Sequence, residues 1–369
     1  MKQMKVKLED VCERGTSNLK QSDIAKTSGD YPIYGASGYI GNTNFYHQEK
    51  PYVAVVKDGA GVGRAALYPA NSSVIGTMQY LLPKDNVLPK YLFYVVSYMH
   101  LEKYFTGATI PHIYFKDYKN EEFNLDLLER QAEIVEILEK CEKIIEKRKQ
   151  EIQLLDDLIK ARFVEMFGNP VLNDKGWEQK SLGEITTKIG SGATPKGGKE
   201  AYQEEGITLI RSMNVHNGQF EYKDLAHISD EQASKLDNVT IEEDDVLLNI
   251  TGASVARSCV VPNEILPARV NQHVCILRCK DCIIPEFLNK LLIDDNYQDL
   301  LWSIAGSGAT RESITKQQVE NLQIILPMLE LQKEFMAFCH QVTKSKVVVQ
   351  KALDETQLLF DSLMQQYFG

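Results

Sequence analysis

The chain has 369 residues, 43% hydrophobic and 25% charged, an ordinary globular composition with length for two domains. Its net charge of −10 excludes a protein that holds polyanions by bulk charge alone. No apolar run reaches the roughly 18 residues of a membrane span. The opening MKQMKVKLED has no apolar h-region, so a cytoplasmic protein with reduced thiols is expected.

Residues 1–127 form the first predicted globular domain. Within it, VAVVKDGAGVGRAALYP (Val53–Pro69) has an apolar run, then Gly59, Gly61, Gly63 and Arg64. A phosphate loop needs a helix after its glycines. Here the run AALYP stops at Pro69, so the glycines are predicted to turn a β-hairpin.

Residues 128–168 form a predicted long helix. Its apolar positions recur in alternating steps of four and three: Ile134, Leu138, Cys141, Ile145, then, past Arg148, Ile152, Leu155 and Ile159. Residues 169–328 form the second globular domain, with DVLLNITGASVARSCVVP (Asp245–Pro262) as the counterpart of the first hairpin. Residues 329–369 form a second long helix with the same steps: Phe335, Cys339, Val342, then, past Lys346, Val349, Leu353 and Phe360.

The chain therefore repeats itself. Leu128–Gly168 and Leu329–Gly369 are both 41 residues, both open Leu-Glu-x-Gln-x-Glu, and both end Phe-Gly. TGATIPHI (Thr106–Ile113) matches SGATRESI (Ser307–Ile314) at the same offset of 201, VLPKYL (Val87–Leu92) matches IIPEFL (Ile283–Leu288), and Arg64 matches Arg257. Equal lengths and sustained heptad steps predict that the two helices pair with each other.

Motifs for chemistry are missing: there is no Walker lysine, no Gly-x-Ser-x-Gly, no His-Glu-x-x-His and no Asp/Asn-Pro-Pro-aromatic tetrapeptide. His273, Cys275, Cys279 and Cys282 lack a zinc spacing, and no metal is expected. Two diverged units on a helical scaffold without catalytic motifs read as a recognition subunit.

The whole chain resembles the specificity subunits of type I restriction–modification systems. The second half carries the sharper likeness: Leu182, Gly192-Ala193-Thr194-Pro195, Tyr202, then Ile207–Arg211, with NQHVCIL (Asn271–Leu277) and GSGATRESI (Gly306–Ile314). The first half has a second variety, YPIYGASGYIG (Tyr31–Gly41) followed by TGATIPHI, and lacks Gly-x-Thr-Pro where GTSNLKQSD stands. The resemblance implies an α+β fold of two tandem target-recognition domains, mixed sheets with short helices, each followed by a long helix, the helices pairing as an antiparallel coiled coil. It implies that each domain reads half of a bipartite site in double-stranded DNA and that the helices set the spacer. Two modification subunits would dock on the helices and bring S-adenosylmethionine and adenine N6 methylation. Restriction subunits would bring ATP, Mg and cleavage. This chain would carry no cofactor, no metal and no catalytic residue. The alternatives are the same fold serving a partner with methyltransferase and nuclease fused, or a coiled-coil scaffold with no DNA role.

Base reading calls for Arg, Lys, Asn, Gln or Ser near loop tips. Candidates in the first domain are Lys57, Arg64 and His112, with Tyr34 and Ser37 behind them. In the second they are Lys196, Lys199, Arg211, Asn214, Arg257 and Arg311. Arg211 has the alternative of a buried, paired arginine at a strand end, and Asn271, Gln272 and His273 that of a structural lead into a strand.

Overall fold

The structure is a computed structural model, and it describes residues 4–24, 28–106, 111–195, 197–306 and 312–369. The chain divides into two compact units, Met1–Glu151 with Val349–Gly369, and Ile152–Val348. Each unit thus takes part of each long helix.

In the first unit, a four-stranded antiparallel sheet runs in the order Cys12–Thr16, Met78–Pro83, Tyr52–Val56, Ala65–Tyr68. A three-stranded sheet holds Gly38–Thr43, Tyr31–Gly35 and Ser73–Val74, the last two parallel. Tyr52–Val56 does not alternate because both of its faces are covered, and all five residues are buried. The helix Pro89–Tyr98 starts on a proline, which loses no hydrogen bond at that position.

The second unit repeats the plan. Its four-stranded sheet runs Thr186–Ser191, Val274–Cys279, Val246–Asn249, Ser258–Val260. Its three-stranded sheet holds Ala226–Ile228, Ile207–Ile210 and Ala268–Val270, the last two parallel. Pro285–Leu292 is the second proline-led helix.

The long helices span Leu128–Phe167 and Leu329–Phe368. They run antiparallel in each unit. In the first, the Arg130 guanidinium lies 5.7 Å from the Tyr367 ring, and Ile134 and Leu138 share a core with Met364 and Phe368. In the second, Lys346 pairs with Asp156 at 2.6 Å and Arg162 with Glu334 at 2.9 Å, so partners descend on one helix as they climb on the other.

The seam positions read from the heptads face inward. Ile134, Leu138, Ile145, Phe335, Val342 and Val349 are buried, and Ile152, Leu155, Ile159, Leu353 and Phe360 half-buried. Asp156 answers Lys346 within the seam. A different apolar set points out: Leu154, Leu158, Val347, Val348, Leu358 and Leu359 are exposed. Among the described residues no helix is long and apolar enough to cross a membrane.

Candidate nucleic-acid interface

The glycine stretch is a hairpin, with Tyr52 opposite Tyr68 and Val55 opposite Ala65. Gly59, Gly61 and Gly63 all have positive φ, at 87°, 82° and 88°. Only glycine takes this backbone without strain. At Gly63 a Cβ would also lie 2.3 Å from the Glu102 nitrogen.

The turn is held from the side by the segment that ends the TGATIPHI motif. Gly59 N–H donates to the Pro111 carbonyl and Ile113 N–H to the Lys57 carbonyl, both at 2.9 Å. The second unit repeats both bonds: Gly252 to Glu312, and Ile314 to Ile250, again at 2.9 Å. Inside the hairpin, Val56 donates to Arg64 at 3.0 Å and Gly63 to Val56 at 2.8 Å. The counterparts are Asn249 to Arg257 at 2.8 Å and Ala256 to Asn249 at 2.9 Å. Ala256 keeps the left-handed backbone, with φ 71°. The two halves share little sequence here but one backbone frame.

The side chains on that frame differ. In the first unit, Arg64 is exposed, and its guanidinium donates to the Ala36 carbonyl, tying the hairpin to the turn that carries Ser37. Tyr34 stacks on Tyr68 with centroids 4.2 Å apart. His112 Nδ1 meets the Asp58 carboxylate, and its ring packs edge-on against Tyr114 at 4.0 Å. Lys57 is half-buried and makes no ion pair among the described residues. Lys57, Arg64, His112, Tyr34 and Ser37 thus come together around one turn.

In the second unit, Arg257 is half-buried in a cleft of about 340 Å³ lined by Ser212, Met213, Thr251, Ser254 and His273 among others. The Gly-Ala-Thr-Pro loop joins this side of the unit. Gly192 N–H donates to the Asn271 carbonyl at 3.1 Å, and a Cβ on Gly192 would lie 1.8 Å from the Val270 oxygen. Thr194 donates to the Gln272 side chain. Asn271 is buried, and its Oδ1 accepts from the His273 N–H at 3.0 Å.

Two candidates turn out to hold loops rather than project from them. Asn214 is fully buried; its amide donates to the Glu221 and Lys223 carbonyls at 3.0 and 3.2 Å, and its oxygen accepts from the Arg211 N–H at 3.1 Å. Arg211 is half-buried, donates to the Asp224 carbonyl, and lies over the Tyr202 ring at 5.3 Å. The aromatic and the arginine of the motif therefore touch each other. Lys199 sits in the short helical turn Gly198–Ala201. Lys196 and Arg311 lie outside the described residues.

Sequence reasoning missed Ser212, Met213 and Asn249. Asn249 ends the buried strand Val246–Asn249, and its amide donates to the Ser212 carbonyl at 2.8 Å. A polar residue closing an apolar strand, where the first unit has Val56, is a signal that was open to reading. Part of the acidic excess is also internal: Asp245 is fully buried and takes two bonds of 2.9 Å from Arg278. That pairing pushes the Arg278 guanidinium further up from its already high pKa. The cysteines are free, and burial pushes the Cys259 and Cys275 thiols up to about 12, as expected for inert core residues.

Two units with one sheet order, one turn frame and unlike side chains on it, carried on antiparallel helices, define a duplicated recognition protein. The sequence pattern of the type I restriction modification DNA specificity domain matches residues 1–154 and again 174–355, and the chain belongs to that family. A Methanocaldococcus jannaschii protein, the type I restriction enzyme MjaIX specificity subunit, is 24% identical over 307 residues, covering 77% of this chain and 69% of its own. The putative MjaX specificity subunit of the same organism is 24% identical over 345 residues, covering 86% and 72%. In fold, the chain is similar to the S subunit of a type I system from M. genitalium, with TM-score 0.62, 16% identity, and coverage of 100% and 96%. A structure from a study of complex assembly and conformational transition in the type I system matches with TM-score 0.62 and 18% identity, covering 99% and 97%.

Proposed function

We propose that each unit reads one half of a bipartite DNA sequence for a type I restriction–modification complex, and that this chain performs no catalytic step. The supporting observation is the repeated turn. Its hydrogen bonds recur atom for atom, while Asp58 and His112 give way to Thr251 and Ser313 beside a retained arginine. A fixed frame carrying different donors suits two readers of different sequences.

Two modification subunits dock on the helices, where Leu154, Leu158, Val347 and Val348 leave apolar surface uncovered. They bring S-adenosylmethionine and the methylation of adenine. Restriction subunits bring ATP, Mg and cleavage. The complex works on double-stranded DNA in the cytoplasm, and the partners supply much of the phosphate neutralisation that a chain of net charge −10 does not. The helices set the unread spacer between the half-sites.

The test is a swap of residues 169–328 for the same region of a relative, followed by mapping of methylated adenines in cells that carry the complex. One half of the target changes and the other stays. A change in both halves overturns the assignment of one half-site to each unit, and S-adenosylmethionine binding by the purified chain overturns the non-catalytic role.

A further inference from the structure

We infer that the cleft beside Arg257 is a guanine-reading site, and that Asn249 positions it. The inference rests on the DNA-reading role above and names what one part of that surface reads.

The two turn arginines are equivalent in backbone and unlike in use. Arg64 spends its guanidinium on the Ala36 carbonyl. Arg257 makes no hydrogen bond or ion pair with a described side chain, while its backbone is fixed through the Asn249 N–H at 2.8 Å. Its cation therefore sits on a hydrogen-bonded support, with its donors uncommitted among the described residues.

The walls of the cleft are hydrogen-bonded as well. One is the turn Thr251–Arg257; the other is the loop at Ser212 and Met213. Asn249 stitches them by donating to the Ser212 carbonyl at 2.8 Å. A second stitch runs from the Ser258 N–H to Asn217 Oδ1 at 3.2 Å. Asn249 is fully buried, so it acts through the cleft's shape and touches nothing that enters it.

The lining fits an edge rich in acceptors. It offers one arginine, the hydroxyls of Ser212, Thr251 and Ser254, the His273 imidazole, and no carboxylate among its described residues. Both a phosphate and the O6/N7 edge of guanine answer to an arginine. The placement favours guanine. Arg257 is recessed rather than on a ridge, and the exposed thioether of Met213 stands at its side, an apolar neighbour that suits a planar base and wastes contact on a phosphate.

The experiment uses the whole complex. Methylated adenines are mapped for wild type, Arg257→Met and Arg257→Ala. One guanine position in one half-site becomes degenerate in both variants, with roughly ten- to hundredfold lost discrimination for Arg257→Ala. The other half-site is unchanged. Replacing that guanine by 7-deazaguanine in a synthetic target weakens wild-type binding and leaves Arg257→Ala unaffected. If Arg257→Ala fails to assemble, Arg257→Met decides, because methionine keeps most of the side chain's length and packing and donates no hydrogen bond to a base or a phosphate. A uniform loss over all positions with a shallower salt dependence identifies a phosphate contact and overturns the inference. An unaltered motif overturns it too. A wild-type complex with no bipartite motif instead removes the reading role itself. Asn249→Ala is expected to blur the same position as Arg257→Ala, and a lowered melting temperature with an intact motif would reduce Asn249 to a structural residue.

Discussion

Gln131 and Gln332 are the same device used twice. Each is fully buried in the first turn of its long helix. The Gln131 oxygen accepts from the Leu88 N–H at 2.9 Å, and its nitrogen donates to the Asn86 and Asp126 carbonyls at 2.9 and 2.8 Å. The Gln332 oxygen accepts from Ile284 at 2.9 Å, and its nitrogen donates to Cys282 and Pro327 at 3.2 and 2.8 Å. Each amide thus pins a long helix to the start of the proline-led helix of its own unit. An orphaned buried polar group costs about 1–3 kcal/mol. Gln131→Ala leaves three, and relaxation and water recover part, so a loss of roughly 2–4 kcal/mol is expected in denaturant unfolding of the chain. Gln332→Ala should cost a similar amount. A loss under about 0.5 kcal/mol, the scale of a surface substitution, would deny the pinning role.

That glutamine also marks what the sequence discloses. Leu-Glu-x-Gln is visible in both copies as a repeat, as are the heptad steps, because local periodicity and self-similarity are properties of the chain itself. The partners of Gln131 lie far off at Asn86 and Leu88, and nothing local predicts such a contact. The same limit decides the site. Arg64 and Arg257 are legible at their turns from position alone. Arg211 resembles them in sequence, yet Asp224 and Tyr202 claim it in space. Asn214 looks like a loop donor until the fold closes over it. Burial and partner choice at a strand end are tertiary facts, and propensity does not carry them.

Gly192 in the Gly-Ala-Thr-Pro loop tests whether that motif acts through backbone proximity. Its Cβ position lies 1.8 Å from the Val270 oxygen, a backbone atom that does not yield easily. Gly192→Ala must shift the loop and with it the Thr194–Gln272 contact. A destabilisation of about 1–3 kcal/mol is expected from such overpacking. Specific DNA binding should weaken at the half-site of this unit alone, as read by competition with targets mutated in one half. Equal weakening at both half-sites would point to a general loss of folding instead.

His47 gives the first unit a small pH dependence. Its ring nitrogen lies 3.4 Å from the Tyr80 hydroxyl, and loss of hydration on that side holds its pKa below the ordinary value of 6.5, while the rest of the side chain is exposed and solvent screens most of the effect. The unfolded chain then takes up the proton first as pH falls. The contribution of His47 is therefore full above about 6.5, declines as pH falls below it, and levels off once the folded histidine is protonated too. His47→Gln removes this term. The difference in urea midpoint between wild type and variant should shift against the wild type on going from about pH 7.5 to about pH 5.5. A difference that stays constant over that interval would show that the ring exchanges protons as freely folded as unfolded.

The helices as a ruler make the longest-range prediction. The unit boundary falls between Glu151 and Ile152 on the first helix and between Val348 and Val349 on the second. The Asp156–Lys346 pair fixes the antiparallel register of the two helices within the second unit. An insertion in one helix alone slips that register, so both helices must be lengthened together. Repeating Ile152–Leu158 in the first and Val349–Glu355 in the second adds one heptad to each and keeps the steps of four and three unbroken. Seven residues add about 10 Å of helix. At 3.4 Å per base pair this is about three base pairs of DNA. The mapped methylation motif should keep both half-sites and gain roughly three base pairs of spacer, provided the complex still methylates. A single insertion of four residues in the first helix should instead disrupt assembly, because it moves Lys346 off Asp156 and turns the apolar seam away from its partner. An active double-insertion complex with its spacer unchanged would show that the helices serve as a docking surface and that another element measures the distance.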